Sequence, residues 1–128
     1  AKNIKKTGKI LVEDYNSKVP KKMEEMIKLA GVGRKTANVV LNHSYGLVEG
    51  IAVDTHVKRI SFRLGLTKSH NPIIVERDLM SLLPKKDWIH FNVMGVDHGR
   101  ALCKSQKPLC SKCPLNKICF KNGVKNSN

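Results

Sequence analysis

The stretch Leu29-Ala30-Gly31-Val32-Gly33-Arg34-Lys35-Thr36-Ala37-Asn38-Val39-Val40-Leu41-Asn42 decides how this chain is read. Two glycines bracket one valine, and Ala37, Val40 and Leu41 follow at helical spacing. Glycine admits positive φ and lets another backbone come close. Gly31-Val32-Gly33 therefore predicts a tight turn that stops one helix and releases the next, from about Arg34-Lys35 to near Gly46. The start of that second helix exposes free N–H groups and a positive dipole end, which suits a phosphate. Arg34 and Lys35 add charge at the same end. A Gly-x-Gly turn alone is weak evidence, since two helices can be joined this way merely to save space.

Working outward, the chain reads as helices with short connections. Ile4, Leu11, Val12 and Tyr15 share one helical face, with Gly8 on the same stripe. Pro20 opens a second helix with Met23, Met26, Ile27 and Ala30 on one side. Beyond the glycine turn and its helix, residues 46–53 form a connection. Asp54 stands at a helix start before Val57, Ile60 and Leu64, and Gly65 is the expected stop. Asn71-Pro72 reads as an N-cap with proline at the first helical position, opening a helix through Val75, Leu79, Leu82 and Leu83 to Pro84. A last long helix carries Trp88, Phe91 and Val96 towards Cys103, the two aromatics reading as core. There is no strand pattern and no internal repeat, so the expected fold class is all-α.

Composition bounds the function. The 128 residues suit one compact domain or two small lobes sharing a core. Hydrophobic residues make up 41%, which excludes wholesale disorder, and aromatics only 5%, so Leu, Ile, Val and Met must build the core. Lys and Arg number 24 against 10 Asp and Glu, a formal net charge of +14. The excess is uneven. After Asp97 there is no acidic residue, yet Arg100, Lys104, Lys107, Lys112, Lys117, Lys121 and Lys125 follow. A polyanion partner fits that asymmetry, because lysines beside phosphates release condensed counterions; plain solvation of the surface fits it too. No stretch approaches the roughly 18 apolar residues of a membrane span. The first residue is Ala1, so the chain is expected to be processed or cut from something longer.

The four cysteines fall within seventeen residues, spaced Cys103-x6-Cys110-x2-Cys113-x5-Cys119. That clustering points to metal ligation in a reducing compartment rather than to a disulfide framework. A Cys-x2-Cys pair puts two thiolates on one centre from a tight turn, and the flanking cysteines close a four-thiolate site. On chemistry alone, structural zinc and a 4Fe–4S cluster both remain open. His43, His70, His90 and His98 have no ligand spacing with the cysteines and are given no role.

Taken together, these motifs resemble a known family. The Leu29 to Asn42 stretch is similar to the helix–hairpin–helix of endonuclease III-type DNA glycosylases, although that family usually has proline where this chain has Ala30. Ile51-Ala52-Val53-Asp54-Thr55-His56-Val57 is similar to the family's Val-Asp-Thr-His segment. The cysteine spacing resembles its 4Fe–4S motif. The three motifs fall in the family's order, and the resemblance covers about Ala1 to Cys119. The family has several further helices before the segment matching Ile4, so the chain looks like the C-terminal two-thirds of such a protein.

The resemblance implies an architecture. Residues 1–50 would be a partial helical-barrel lobe with the helix–hairpin–helix at about 20–46. Residues 51–121 would be a helical lobe ending in a 4Fe–4S loop, and residues 122–128 a flexible tail. Cys103, Cys110, Cys113 and Cys119 would ligate the cluster. Gly31, Val32, Gly33 and Arg34 would meet DNA through the hairpin, and Lys104, Lys107 and Lys112 through the cysteine loop.

It also implies a chemistry, base excision repair by a DNA glycosylase with abasic-site lyase activity. A lysine attacks a sugar only as the free amine, and its reference pKa near ~10.4 leaves it charged at neutral pH. Lys35, beside Arg34 and at a helix start, would be the nucleophile, its amine favoured by burial, by that neighbouring charge and by the helix dipole. Asp54 would support it across a cleft between the lobes. Without the resemblance, Lys35 reads as a surface lysine and Asp54 as an ordinary N-cap. His56 reads as a packed structural histidine or as a group orienting a phosphate.

The expected partner is double-stranded DNA with damaged bases, oxidised pyrimidines above all, or abasic sites. No membrane partner is expected. The protein would act as a monomer in the cytoplasm, at the nucleoid. Two alternatives stay open: a non-catalytic duplex-DNA-binding module, and an adenine-type mismatch glycosylase of the same fold. Lys35 argues against the second, whose relatives keep no catalytic lysine there.

Overall fold

The computed structural model describes residues 1–128, which form helices, turns and loops with no strand. The chain divides into two compact units, Ala1–Ala52 and Val53–Asn128. The expected break between residues 50 and 51 lies two residues earlier.

The first unit holds helix α1 (Lys2–Asp14), a single turn α2 (Met23–Met26) and α3 (Arg34–Tyr45). Its core is Met26, Leu29, Ala37 and Leu41, with Ile10, Leu11, Tyr15, Met23 and Val40 packed against it. The stripe read on α1 is only partly used. Leu11 and Tyr15 face this core, whereas Ile4 and Val12 are exposed.

The expected second helix from Pro20 to Ala30 is a correction. Regular α-helix covers only Met23–Met26. Around it the chain winds more tightly, with i to i−3 bonds from Glu25 N to Lys22 O, Lys28 N to Glu25 O and Leu29 N to Met26 O. A helix this short has no stability of its own, so burial of Met26 and Leu29 sets the backbone path instead. Thr7 Oγ1 donates to Ala30 O at 3.0 Å and pins α1 to the turn that follows.

The second unit holds α4 (Thr55–Leu64), α5 (Pro72–Leu82) and α6 (Trp88–Ala101), with short 3-10 turns at Lys85–Asp87 and Cys110–Lys112. The helix ends follow the sequence reading. Asp54 accepts from Val57 N and Asn71 from Ile73 N, Pro72 occupies the first turn of α5, and left-handed Gly65 closes α4. Val57, Ile60, Val75 and Leu79 are buried. Trp88 is half-buried and its Nε1 donates to Leu83 O at 2.9 Å, which fixes the corner between α5 and α6. The two 3-10 turns have no periodic signature and were not foreseen.

Helices α4 and α6 approach closely because α6 presents Gly95 and Gly99, four residues apart, to α4. A Cβ at Gly95 would lie 3.2 Å from Val57 Cγ2, and one at Gly99 would lie 2.7 Å from His56 Nδ1. Residues 122–128, expected to fray, carry hydrogen bonds. Asn122 N donates to Arg63 O, Asn128 N to Pro108 O, and Ser111 N to Asn128 O.

Helix propensity and packing oppose each other at Gly95, and packing should win. A Gly95→Ala change should lower stability in urea unfolding, because Val57 is fully buried and has nowhere to move. The same change at Gly8 in α1, where nothing lies within 4 Å, should raise stability by about 0.5–1 kcal/mol.

Candidate functional site

The hairpin is built from the first unit's own core. Val32 N donates to Leu29 O at 3.1 Å and closes the turn. Gly31 takes φ +79°, and Asn3 crowds the space a side chain there would need. Gly33 is extended and begins α3 with no side-chain cap, while nothing stands within 4 Å of the place of its missing Cβ. The turn therefore leaves the first N–H groups of α3 uncapped by any side chain beside an exposed glycine, the arrangement expected of a phosphate seat. Val32 and Arg34 are half-buried. Lys35 lies in the first turn of α3 and is exposed, not buried as expected.

Asp54 belongs to the second unit. Its Oδ1 accepts from Val57 N at 2.8 Å, so the carboxylate is held at the start of α4 with its other oxygen uncommitted to that bond. Sequence position alone marked this residue as a cap, and only the family resemblance made it a site candidate. His56 is half-buried against α6, in keeping with a packed structural histidine.

The four cysteines are all free and half-buried, and they line one cavity with Ile60, Leu115 and Val124. Lys121 N donates to Cys119 Sγ at 3.4 Å. No three His, Cys, Asp or Glu side chains close to the spacing that holds a single metal ion. A 3-10 turn carries Cys110, and a bond from Leu109 N to Leu102 O closes the loop bearing Lys104 and Lys107. Lys104, Lys107 and Lys112 are exposed.

Four further residues stand around the cysteines that sequence reasoning did not find. Arg63 is buried; its Nη1 donates to Cys103 Sγ at 3.4 Å and to Lys104 O at 2.6 Å, and its Nη2 to Ser105 O at 2.9 Å. Arg59 Nε donates to Cys103 O at 2.9 Å. His98, given no role from spacing, has Nε2 3.6 Å from Cys113 Sγ. Asn116 lines the cavity with a buried Oδ1 that has no partner. No sequence signal marked the arginines, since neither lies on the stripe of Val57, Ile60 and Leu64.

The chain belongs to the HhH-GPD superfamily of base excision DNA repair proteins, whose family model matches residues 1–85. Among individual proteins it is similar to endonuclease III of Synechocystis sp., 53% identical over 119 residues, and to endonuclease III of Bacillus subtilis, 48% identical over 120 residues. Each match covers 93% of this chain and 54% of the relative, so the chain spans about half the length of the curated relatives it matches. Among solved structures it is similar to a trapped endonuclease III–DNA covalent intermediate, with a TM-score of 0.87 and 44% identity over 94% of this chain and 56% of that one. A thermostable thymine-DNA glycosylase, 23% identical with a TM-score of 0.81 over 96% of this chain and 58% of that one, shares the fold.

The cap and the chemistry at Asp54 can be separated by substitution. Asp54→Ala should cost about 1 kcal/mol in urea unfolding through loss of the bond from Val57 N, whereas Asp54→Asn keeps an acceptor oxygen and should stay within about 0.5 kcal/mol of the parent.

Proposed function

We propose that this chain is the part of a bifunctional DNA glycosylase and abasic-site lyase that carries its nucleophile, its supporting carboxylate and its 4Fe–4S ligands. The observation that carries the reading is an exposed lysine one residue into the helix that the glycine hairpin releases, in a chain 44% identical to an endonuclease III solved as a trapped covalent DNA intermediate. The substrate would be duplex DNA with damaged bases, oxidised pyrimidines in particular, or abasic sites. A monomer acting at the nucleoid in the cytoplasm fits the reading. No helix is long and apolar enough to cross a membrane.

In this mechanism the damaged nucleotide is turned out of the duplex. The hairpin backbone at Gly31, Val32 and Gly33, with Arg34, holds phosphates and leaves the base unread. The Lys35 Nζ lone pair attacks C1′ of the sugar, and the base departs with the electron pair of the glycosidic bond. Asp54 offsets the positive charge that develops on the sugar and accepts a proton from the attacking amine. The sugar ring opens to a Schiff base with Lys35. Loss of a C2′ proton then expels the 3′ phosphate by β-elimination and nicks the strand.

The cysteines fit an iron–sulfur cluster better than a single ion. A lone zinc draws four sulfurs to about 2.3 Å from one point, whereas a cluster is held at its corners by cysteines standing apart. Four cysteines lining one cavity, at a spacing that resembles the family's 4Fe–4S motif and with donors from Arg63 and Lys121 on two of their sulfurs, support the cluster. Cys103, Cys110, Cys113 and Cys119 would hold the cluster, which when bound supplies a rigid cross-link rather than an electron for base removal. Lys104, Lys107 and Lys112 would then be carried on a loop of fixed shape towards phosphates.

Borohydride trapping on abasic-site DNA tests the activity. Lys35 should form the trapped adduct, and Lys35→Gln should abolish it while DNA binding stays within about threefold, since the hairpin is untouched. Trapping by Lys35→Gln at the parental rate would make another amine the nucleophile. Binding without any trapping by the parent would favour the non-catalytic module. Anaerobically purified protein should carry iron with a broad absorbance near about 400 nm, and Cys110→Ser should lose it; stoichiometric zinc without iron would overturn the cluster.

A further inference from the structure

Arg59 occupies an unusual position between two parts of the proposed site. It lies one turn into α4 and is half-buried. Its guanidinium reaches in two directions. Towards the cysteine segment, Nε donates to Cys103 O at 2.9 Å and Nη2 to Gly99 O at 3.1 Å. Back towards the start of α4, Nη1 donates to Thr55 O at 3.4 Å, and Nη2 stands 3.1 Å from His56 Nδ1. A guanidinium can only donate, so His56 Nδ1 accepts and its ring proton sits on Nε2. Thr55 and His56 separate Asp54 from Val57, whose N–H holds the Asp54 carboxylate.

An arginine serving only to cap the end of α6 would need the Gly99 and Cys103 carbonyls and nothing more. The two contacts inside the first turn of α4 are surplus to that task. They make a continuous bonded path from the first cysteine, through one rigid fork, to the turn that carries Asp54. Gly99 keeps the path short, because a Cβ there would stand 2.7 Å from His56 Nδ1 and 3.1 Å from Arg59 Nη2. Lysine could not replace the fork, since a single ammonium cannot span acceptors on both sides at fixed angles.

We propose that Arg59 is a positioning residue for Asp54, tying the turn that carries the carboxylate to the backbone of Cys103, so that ordering of the cysteine segment sets where the carboxylate stands. The proposal rests on the reading of Asp54 as the supporting carboxylate and of the cysteines as cluster ligands. It gives the cysteine segment a consequence at the reacting sugar without any electron transfer.

The experiment follows the Val57 amide, which reports the Asp54 cap directly, by hydrogen exchange in the iron-loaded protein. Arg59→Gln should speed Val57 exchange by about fivefold or more while the Ile73 amide, capped by Asn71 on α5, is unchanged. Iron content should stay at the parental level. Single-turnover base excision should fall by about tenfold or more with DNA affinity within about twofold, and trapping on a preformed abasic site should fall less. Arg59→Lys should recover little of the loss, because one ammonium cannot span acceptors on both sides. Gly99→Ala should produce the same pattern with the arginine still present, and stripping iron from the parent should also speed Val57 exchange. Unchanged Val57 exchange in Arg59→Gln and Gly99→Ala would overturn the proposal. So would iron loss in proportion to lost activity, which would make Arg59 a residue that merely retains the cluster. If the parent neither excises nor traps while Val57 exchange still follows Arg59 and iron, the enzymatic reading falls and the link between cysteine segment and helix start stands.

Discussion

The glycine edge of α6 against α4 is the contact on which the second unit depends. Gly95 admits Val57, and Gly99 admits His56 and Arg59. With side chains there the two helices would have to part, and the segment that leaves α6 would start from a different place. Because they do not part, Arg59 and Arg63, one helical turn from each other, both reach the segment that begins at Cys103. Burying Arg63 would be costly if its donors were left empty. They are filled by Lys104 O, Ser105 O and Cys103 Sγ, so the charge becomes a clamp on the loop.

The first unit solves a different problem with fewer residues. Met26, Leu29, Ala37 and Leu41 make a small core, and the hairpin is the link between its two sides. Gly31 and Gly33 play separate parts. The first supplies the left-handed backbone at the turn, and the second leaves open space in front of the α3 N-terminus. An anion held there is contacted by backbone N–H groups, which read no base sequence. On the proposed reading, such a contact would suit a protein that must meet damage in any sequence context, and the lysines of the cysteine loop would add the same sequence-independent attraction.

On the proposed reading, a stability device and a chemical group would share one atom set at Asp54. The bond from Val57 N holds one carboxylate oxygen and orders the side chain without removing its charge. A residue that caps a helix is already immobilised, and an immobilised carboxylate stabilises a developing cation without reorganising at the moment of reaction. The bland and the chemical readings of this residue are therefore compatible, and the structure supplies the first of them.

What the sequence determined by itself was local. Asp54 before Val57 and Asn71 before Pro72-Ile73 mark helix starts, because a cap and its partner lie two or three residues apart. Gly65 marks a stop for the same reason, and the cysteine spacing marked a shared site because a ligand loop is closed by near neighbours. The tertiary structure decided the rest. It cut the expected helix after Pro20 to one turn, since burial of Met26 and Leu29 outweighed helical periodicity. It exposed Lys35, and it turned Val12 out of the stripe that holds Leu11 and Tyr15. It also brought His98, Asn116 and the two arginines to the cysteines. Arg59 meets Cys103 across 44 positions of sequence, and no local pattern encodes a bond that exists only when two helices have packed glycine to side chain.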